Sequence, residues 1–474
     1  MGNSYFCAMR KKKEVLHNVV MENYAAEGKS LARVEGKVIF VENTIPGDEV
    51  DVLLQKNKKD WGEGIALHFH NYSSLRVKPF SQHFGVCGGC QWQMLPYAQQ
   101  LQYKQQQVTD NLKRIGKVEL PEIMPIIGAE HTTRYRNKME YTFSNKRFLL
   151  PEELHNSSIT SAENVAGFHA RGLFDKVVPI VECHLQEEPT NFIRLAVLNF
   201  AKEHGLSHYD IREHTGFLRN LLIRSTTTGE LMVNVVVGYD DKKITQDLLS
   251  FIDLSFPQIT TLLYTINPKR NDSLFDLEPQ VFKGKGFIIE KLEDFSFKIS
   301  PKSFFQTNTL QGEKLYSVAR EFAELTGEQT IYDLYCGTGS IGIFCSKGAK
   351  NIVGVELAEE AIADAKENAQ LNLLQNARFF AGDVIAVCDD NFFGNHGTPD
   401  VIITDPPRAG MHEKLVRKLL DIAAPLIVYV SCNPATQARD LALLNEKYTV
   451  TKVQPVDMFP HTLHIENVVQ LKLR

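Results

Sequence analysis

The chain has 474 residues, of which 43% are hydrophobic and 23% charged, and its formal net charge is −5. These values are typical of a soluble protein of about two to four domains, and the net charge argues against a polybasic nucleic-acid binder. No apolar run reaches the roughly 18 residues that a membrane-spanning helix needs. The N-terminal segment has no apolar signal region, so we expect a cytoplasmic location.

Residues 1–76 are expected to form a small β-barrel. Short apolar segments alternate with turns, two of which are marked by Glu35-Gly36 and Pro46-Gly47-Asp48. Small barrels of this kind bind single strands or RNA. Basic clusters at Arg10–Lys13 and Lys56–Lys59 could contact phosphates, although charge runs are usually solvated faces. The predicted strands are Val19–Glu22, Gly28–Val34, Lys37–Val41, Glu49–Leu54 and Gly64–Phe69.

The next feature is a pair of cysteines, Cys87 and Cys90, separated by two glycines. The glycines let both thiolates face one metal centre, and Cys183 is the best candidate for a third ligand. The same spacing also fits a redox-active pair or an incidental one. Because the chain is long and expected to be cytoplasmic, its eight cysteines argue against a disulfide framework.

The middle of the chain, residues 77–298, mixes helices and strands. The segment Trp92–Ile115 has the only long helical pattern of the first half. Arg134-Tyr135-Arg136-Asn137-Lys138 places three cations around an aromatic ring, which suits contacts to an RNA backbone together with base stacking. A hydrogen-bonded loop entering a strand explains the same residues equally well. Further predicted elements are strands Lys138–Asn145, Leu218–Thr226 and Leu231–Val237, and helices Pro189–His204 and Lys242–Phe251.

The last part, residues 299–474, alternates strands and helices from residue 330 onward. This alternation predicts an α/β domain with a doubly wound parallel sheet, in which ligands bind beyond the carboxyl ends of the strands. Strand 330–334 carries Asp333 and is followed by Gly337, Gly339 and a helix. Glycines at such a turn let backbone amides approach a ligand, and the helix N-terminus points free N–H groups at the same place.

The sequence of the glycine loop is compatible with two alternative ligands, a dinucleotide and S-adenosylmethionine. Gly337-x-Gly339-x-x-Gly342, with Glu356 about 20 residues further on, is also the dinucleotide-binding pattern. Two features favour S-adenosylmethionine instead. Its sulfonium cation suits an acid inside the pocket, Asp333, and the later strand ends in Asp405-Pro-Pro-Arg, which is unusual for a dehydrogenase sheet.

A cysteine follows the strand predicted at 426–431. Asn433 is a good N-cap and Pro434 a good first helical residue, so Cys432 is expected at a helix N-terminus, where its pKa should be lowered. A thiolate there could add to C6 of a pyrimidine, although a buried inert cysteine is an alternative. Near the C-terminus, Glu466 or His461 could accept a proton; either could also be a surface residue of an edge strand.

Five motifs resemble those of RNA uracil-C5 methyltransferases and occur in the same order along the chain. The N-terminal barrel resembles the TRAM domain of that family. The resemblance is closest to the 23S ribosomal RNA members and covers nearly the whole chain. It implies a class I S-adenosylmethionine-dependent methyltransferase domain at 299–474, with the RNA-binding barrel at 1–76 and a mixed α+β central domain at 77–298. The motifs are Phe304–Asn308, Asp333–Gly339, Asp405–Gly410, Ser431–Pro434 and Pro460–Glu466.

The resemblance also implies roles for individual residues. Cys432 is the nucleophile that forms a covalent bond to C6 of uracil, and Glu466 removes the C5 proton. Arg408, together with the three cations at 134–138, is assigned to RNA binding. The residues implied for S-adenosylmethionine binding are Gln306, Tyr335, Gly337, Ser340, Glu356, Asp383 and Asp405.

One position departs from the family pattern. The iron–sulfur members have four cysteines, of which Cys87, Cys90 and Cys183 match three, while Ser81 stands at the first position. The resemblance still implies a [4Fe–4S] cluster as a second cofactor. A serine oxygen is harder and more basic than a thiolate, so this cluster could be labile, incomplete or absent.

Other functions fit the sequence less well. Transfer RNA is an alternative substrate to ribosomal RNA, and no obligate protein partner is expected. Cytosine-C5 enzymes usually have a cysteine in the motif occupied by Asp405–Arg408, and adenine amino-methylating enzymes favour an aromatic residue after the paired prolines. A non-catalytic RNA-binding assembly factor would not need Cys432, Glu466 and the glycine loop.

Overall fold

The computed structural model describes residues 14–156 and 158–474, so Cys7 and the basic cluster at 10–13 lie outside the described residues. The chain forms two compact units. The first comprises the described residues up to Gly85 with Cys90–Tyr103 and His461–Leu463, and the second comprises the remainder. None of the helices in the described ranges has the length and apolar character required to cross a membrane. The three-domain division at 76 and 298 stays a prediction.

The first unit contains a six-stranded sheet in the order β1-β5-β6-β4-β3-β2. Only β4 and β6 run parallel. Alternate residues face a small apolar core that includes Val41, Val50 and Val52. Glu35 and Gly36 both adopt positive φ, as the predicted tight turn requires. The strands are β1 (Val15–Val20), β2 (Asn23–Tyr24), β3 (Ser30–Val34), β4 (Lys37–Glu42), β5 (Glu49–Asn57) and β6 (Trp61–Asn71).

The predicted helix after the Cys-x-x-Cys loop is α1 (Tyr97–Asn111), which continues as one π-helical turn through Leu112–Gly116. A second cluster of buried aromatic residues lies in the first unit, where the rings of Tyr24 and Tyr103 stack with centroids 4.3 Å apart.

The second unit begins with a seven-stranded sheet in the order β13-β12-β11-β10-β7-β8-β9, which we call the central sheet. Neighbouring strands are antiparallel except β11 and β12. Its strands are β7 (Lys138–Ser144), β8 (Val165–His169), β9 (Val177–Pro179), β10 (Leu218–Ser225), β11 (Leu231–Val237), β12 (Thr261–Ile266) and β13 (Gln280–Lys283). Helices α2 (Thr190–Glu203) and α3 (Lys242–Ser255) contribute to the same apolar core.

A β-hairpin and a helix follow the central sheet. The hairpin joins β14 (Ile288–Leu292) to β15 (Phe295–Ile299), and helix α4 (Thr309–Phe322) begins at Asn308, whose side chain caps it. The sequence pattern did not indicate this hairpin.

The C-terminal sheet also has seven strands, in the order β18-β17-β16-β19-β20-β22-β21. The five strands β16–β20 are parallel, as predicted, whereas β22 runs antiparallel to both β20 and β21. Its strands are β16 (Thr330–Leu334), β17 (Asn351–Glu356), β18 (Ala377–Ala381), β19 (Val401–Thr404), β20 (Leu426–Ser431), β21 (Tyr448–Val456) and β22 (Glu466–Leu473).

Apolar residues cover both faces of this sheet, so its strands are nearly continuous hydrophobic runs. The helices that flank and connect the strands are α5 (Ser340–Cys345), α6 (Glu359–Leu371), α7 (Val384–Val387), α8 (Asp390–His396), α9 (Glu413–Ile422) and α10 (Pro434–Leu444). The predicted α/β fold of residues 299–474 is therefore confirmed, with strand β22, antiparallel to both of its neighbours, as the deviation from a parallel sheet.

Candidate active site

The glycine loop connects β16 to α5 at the carboxyl end of the sheet. Gly339 has φ +77°, and a Cβ there would lie 2.9 Å from the ring of Phe379, so both conformation and space require glycine. The Gly337 amide donates to Glu356 Oε2 at 3.3 Å, which ties the loop to the end of β17. The predicted strand, turn and helix are thus present.

A cavity of about 350 Å³ lies at the ends of β16, β17 and β18. It contains two of the predicted ligand-binding residues, Tyr335 and Asp383. Its apolar walls were not predicted, although the sequence offers a signal: Leu357 and Val384 each directly follow an acid at a strand end. The cavity is lined by Tyr335, Leu357, Gly382, Asp383, Val384, Ile385, His412, Lys414 and Leu415.

Two further predicted residues lie beside α4. The Ser340 hydroxyl is 3.1 Å from the Tyr316 hydroxyl, and Gln306 is buried beside the same tyrosine. Glu356 accepts from the amides of Gly337 and Ala358, and Asp383 accepts from Ile385 at 2.8 Å. These hydrogen bonds hold the carboxylates at fixed positions at the edge of the sheet.

Buried carboxyl groups give this edge an unusual electrostatic character. Asp333 accepts from the Gly342 amide at 2.8 Å, but its Oδ1 has no partner within the described chain. Burial raises the pKa of Asp333 to about 7, and the charges of Asp405 and Glu356 add to the effect. A cation bound here would relieve this repulsion. The residues present therefore fit the sulfonium group of S-adenosylmethionine.

Cys432 and Glu466 lie next to each other. Strands β20 and β22 pair antiparallel up to Ser431 opposite Asn467, and Cys432 and Glu466 are the next residues at this end of the pair. The charge of Glu466 acts on the Cys432 thiol, as expected for two neighbouring side chains. The Gln437 amide holds the pair by donating to the carbonyls of Tyr429 and Asn467.

The surroundings of Cys432 correct one expectation. Asn433 does cap α10, accepting from the Ala435 amide at 3.1 Å, and Pro434 is its first residue. The pKa of Cys432 is nevertheless raised to about 11, because burial and the charges of Glu466 and Asp405 outweigh the lowering effect of Arg408. The predicted lowering by the helix N-terminus is therefore wrong.

Glu466 is a buried carboxyl group, and the charge of the partly buried Asp405 acts on it. Burial raises the pKa of Glu466 well above its ordinary value, and the neighbouring charge of Asp405 raises it further. Burial also raises the pKa of Asp405. Two carboxyl groups that repel each other in a desolvated site share protons, which is a common arrangement for acid–base chemistry.

The loop that carries Asp405 and Arg408 is fixed to α10. The carbonyl of Arg408 accepts from the Asn433 side chain at 3.1 Å and from Thr436 Oγ1 at 3.4 Å. The buried carboxylate of Asp440 accepts from the Met411 amide and the Tyr429 hydroxyl. These hydrogen bonds hold Asp405 and Arg408 beside Cys432. In the sequence, only the order of the motifs indicated that these residues lie near each other.

His461, the other candidate for proton transfer, lies in the first compact unit. Its Nδ1 is 3.1 Å from the Gln100 amide nitrogen, and its backbone amide donates to Gln100 Oε1 at 2.8 Å. These hydrogen bonds fix His461 within the first unit. Glu466, in contrast, lies near the thiol of Cys432.

The structure brings only two of the predicted metal ligands together in one cluster. Cys87 and Cys183 are half-buried in one apolar cluster of the second unit, while Cys90 and Ser81 belong to the first. Throughout residues 14–156 and 158–474, no group of three or more His, Cys, Asp or Glu side chains could hold a metal ion. The residues therefore do not fit a [4Fe–4S] cluster.

Because the residues present do not fit a [4Fe–4S] cluster, we expect the protein to hold little iron. Protein purified under anaerobic conditions is expected to carry far less iron and acid-labile sulfide than a full cluster requires, because Ser81 replaces one thiolate. Elemental analysis and the visible absorption spectrum test this prediction. Four iron atoms per chain with a brown absorption band would contradict it.

The predicted RNA-binding residues also belong to the second unit. Arg134 is exposed and lies 3.5 Å from Glu187, whereas the Arg136 Nε donates to the Lys138 carbonyl at 3.0 Å. The Arg136 guanidinium is 6.0 Å from the centroid of the Phe459 ring. Arg136 and Arg408 both lower the pKa of His464, so both lie near this histidine.

The fold and the site define a class I S-adenosylmethionine-dependent methyltransferase. The family model described as tRNA (Uracil-5-)-methyltransferase matches residues 281–474. A Bacteroides thetaiotaomicron protein described as an uncharacterized RNA methyltransferase is 54% identical over 458 residues, covering 95% of this chain and 100% of the relative. A Porphyromonas gingivalis protein of the same description is 49% identical and covers 94% and 98%. The chain belongs to the RNA uracil-C5 methyltransferase family.

A solved structure agrees with this assignment. The tRNA (uracil-54, C5)-methyltransferase of Pyrococcus abyssi, in complex with S-adenosyl-L-homocysteine, has 28% sequence identity and a TM-score of 0.73. The match covers 96% of this chain and all of the archaeal chain. The protein is accordingly an enzyme that acts on RNA and uses S-adenosylmethionine.

Proposed function

We propose that the protein methylates C5 of a uridine in 23S ribosomal RNA through a covalent bond between Cys432 and C6 of the base. The observation that supports this most strongly is that Cys432 and Glu466 lie next to the last paired residues of β20 and β22 at the same end, with Asp405 close enough for its charge to act on both. A nucleophile and a proton acceptor at the carboxyl edge of the sheet are what C5 methylation of a pyrimidine needs. S-adenosylmethionine supplies the electrophilic methyl group.

The residues of the site have separate roles in this reaction. The Cys432 thiolate forms the S–C6 bond, and the π electrons of C5=C6 move toward O4 as an enolate. The electron pair then returns through C5 and forms the bond to the methyl carbon, while the bond from that carbon to the sulfonium sulfur breaks and S-adenosylhomocysteine leaves. Glu466 accepts the C5 proton, the C5=C6 bond re-forms, and the S–C6 bond breaks to release the thiolate. Atoms and charge balance because one proton leaves C5 as one methyl group arrives.

The raised pKa of Cys432 gives the reaction a pH dependence. The thiolate is the reactive form, and a pKa of about 11 means that its fraction grows steadily between pH 6 and pH 9. We expect kcat/KM for RNA to rise with pH across this interval, by up to about tenfold per pH unit where this single deprotonation controls the rate. Initial rates in constant-ionic-strength buffers measure the effect. A decline toward alkaline pH would contradict this assignment.

The choice of ribosomal RNA rests on the N-terminal β domain followed by the cysteine loop, an arrangement similar to that of the ribosomal members. Transfer RNA is the second candidate, because the archaeal enzyme of similar structure is described as acting on uracil 54 of tRNA. The two substrates share the chemistry described above and differ only in the RNA fold that presents the base.

The deciding experiment is to map 5-methyluridine by mass spectrometry in RNA from cells with and without the gene. We expect one uridine of 23S ribosomal RNA to lose its methyl group when the gene is absent, and to regain it with purified enzyme and S-adenosylmethionine. A loss confined to transfer RNA would select the second candidate. Loss of 5-methylcytidine or a methylated adenine instead would contradict the proposal.

A further inference from the structure

Arg224 is a buried cation without a counter-ion. It lies on β10, in the middle of the central sheet, with 6% of its surface exposed. One guanidinium nitrogen, Nη2, donates to the carbonyl of Ser303 at 2.6 Å, whereas Nε has no partner within the described chain. No carboxylate of the described residues lies within 4 Å of it. A buried charge without a partner is strongly unfavourable unless a bound anion compensates it. The Nε atoms of Arg194 and Arg219 also have no partner within the described chain, so the remaining contacts of each guanidinium distinguish the three residues.

Two other buried arginines of the second unit show what a structural role looks like. Arg219, on the same strand, is 1% exposed, donates to three backbone carbonyls and pairs with Asp272 at 2.7 Å. Arg194 donates to two carbonyls and lies over the ring of Tyr141. Arg224 has one carbonyl partner, neither ring nor carboxylate, and therefore differs from both.

Further positive charge surrounds Arg224. The register of β7 and β10 sets Lys138 directly opposite it, an arrangement that is destabilising for like charges. Burial, Arg224 and Arg136 together lower the pKa of Lys138, although Glu140 acts in the opposite direction. Within the described residues, neither Lys138 nor Arg136 forms an ion pair. Three cations thus converge where no carboxylate of the described residues lies within ion-pair distance, and Glu140 is the nearby acid that partly offsets their charge.

This cluster is attached to the segment that frames the reaction site. Arg224 holds the carbonyl of Ser303, and Asn137, between the other two cations, donates to the carbonyls of Gln306 and Thr307 at 2.9 and 2.8 Å. Phe304, in the same segment, is 69% exposed. An anion bound by the cluster would therefore lie beside an exposed aromatic ring and close to Gln306.

We propose that Arg224, Lys138 and Arg136 form a phosphate site that binds one phosphodiester of the RNA adjacent to the target uridine. The inference rests on the proposed function, because it takes RNA as the anionic ligand. A guanidinium and an ammonium group supply the charge-assisted hydrogen bonds that a phosphodiester accepts. The target base must leave its stack to reach Cys432, and a phosphate fixed beside it would hold the backbone in the rotated conformation.

The test compares RNA binding by the full-length protein and an Arg224→Met variant, which keeps the length of the side chain and removes its charge. The probe is deproteinised RNA from cells that lack the gene. Filter-binding titrations at several salt concentrations give the slope of log K against log[salt]. We expect affinity to fall about tenfold and the slope to decrease by about one, as for the loss of a single phosphate contact. Affinity for S-adenosylmethionine, measured by calorimetry, should stay unchanged.

Arg194→Met is the matched control, since it removes an equally buried guanidinium that has protein partners. This variant should lower the melting temperature and leave the salt slope at its wild-type value. If Arg224→Met does not fold, Lys138→Met tests the same site from its half-buried member, with the same expected change in slope. If the folded Arg224→Met variant keeps the wild-type slope of log K against log[salt], the proposal is overturned. If Arg224→Met does not fold, a wild-type slope in Lys138→Met overturns it. A protein that binds RNA with an Arg224-dependent slope but methylates no uridine would contradict only the proposed function.

Discussion

Replacing Cys432 by alanine is expected to lower the rate of methyl transfer to RNA by on the order of 10⁴-fold or more, equivalent to at least about 5.4 kcal/mol of transition-state stabilisation. Without the sulfur, C6 of the base cannot be attacked, and C5 does not become nucleophilic enough to accept a methyl group. The affinity for S-adenosylmethionine should remain unchanged, because the acids and the cavity that fit it involve other strand ends.

The measurement is a single-turnover assay with S-adenosylmethionine that carries a tritiated methyl group, combined with calorimetric titration of the unlabelled compound. Cys388→Ala is the matched control, since Cys388 is also a buried thiol whose pKa burial raises to about 11. That variant should retain methyl transfer. Substantial activity in the Cys432 variant would remove covalent catalysis from the account.

Replacing Glu466 by glutamine is expected to trap the reaction after methyl transfer. The amide fills the same space but cannot accept the C5 proton, so elimination is blocked and the enzyme stays bonded to methylated RNA. Turnover should fall by about 10²–10⁴-fold, the range for loss of a general base. A single round of methyl transfer should persist, because this step precedes proton removal.

Denaturing gel electrophoresis with labelled RNA tests this expectation. A slowly migrating protein–RNA band should accumulate in the Glu466→Gln variant and vanish when nuclease removes the RNA. The double variant with Cys432→Ala serves as control and should give no such band. Equal turnover by the wild-type enzyme and the Glu466→Gln variant would show that a different group accepts the C5 proton.

The local pattern of the sequence predicted much of the methyltransferase domain. Strand Thr330–Leu334 and the glycine loop after it were identified because a continuous apolar run, bounded by glycines, has few alternative conformations. Strand Leu231–Val237 was predicted at its observed bounds for the same reason. The caps at Asn433 and Pro434 also follow from local chemistry.

Features that depend on distant residues were not predictable in the same way. The thiol of Cys432 was expected to be acidic, but the carboxyl groups that raise its pKa come from β22 and from the loop after β19. Strands β12–β15 are short and carry mixed patterns, so their pairing depends on the sheet they join. Within the described chain, the guanidinium of Arg224 has one carbonyl partner, Ser303, which is distant in sequence. The residues next to Arg224 in the sequence therefore could not indicate its partners.

The central claim is that the sulfur of Cys432 and a sulfonium-bound methyl group act on the same uracil ring. The most direct test uses RNA in which 5-fluorouridine replaces uridine, because fluorine at C5 cannot leave as a proton. After incubation with S-adenosylmethionine and digestion with trypsin and nuclease, mass spectrometry should find the peptide 419–439, which contains one cysteine, bonded through Cys432 to a methylated fluorouridine nucleotide. An unmodified peptide, or a nucleotide bonded to a different residue, would contradict the account.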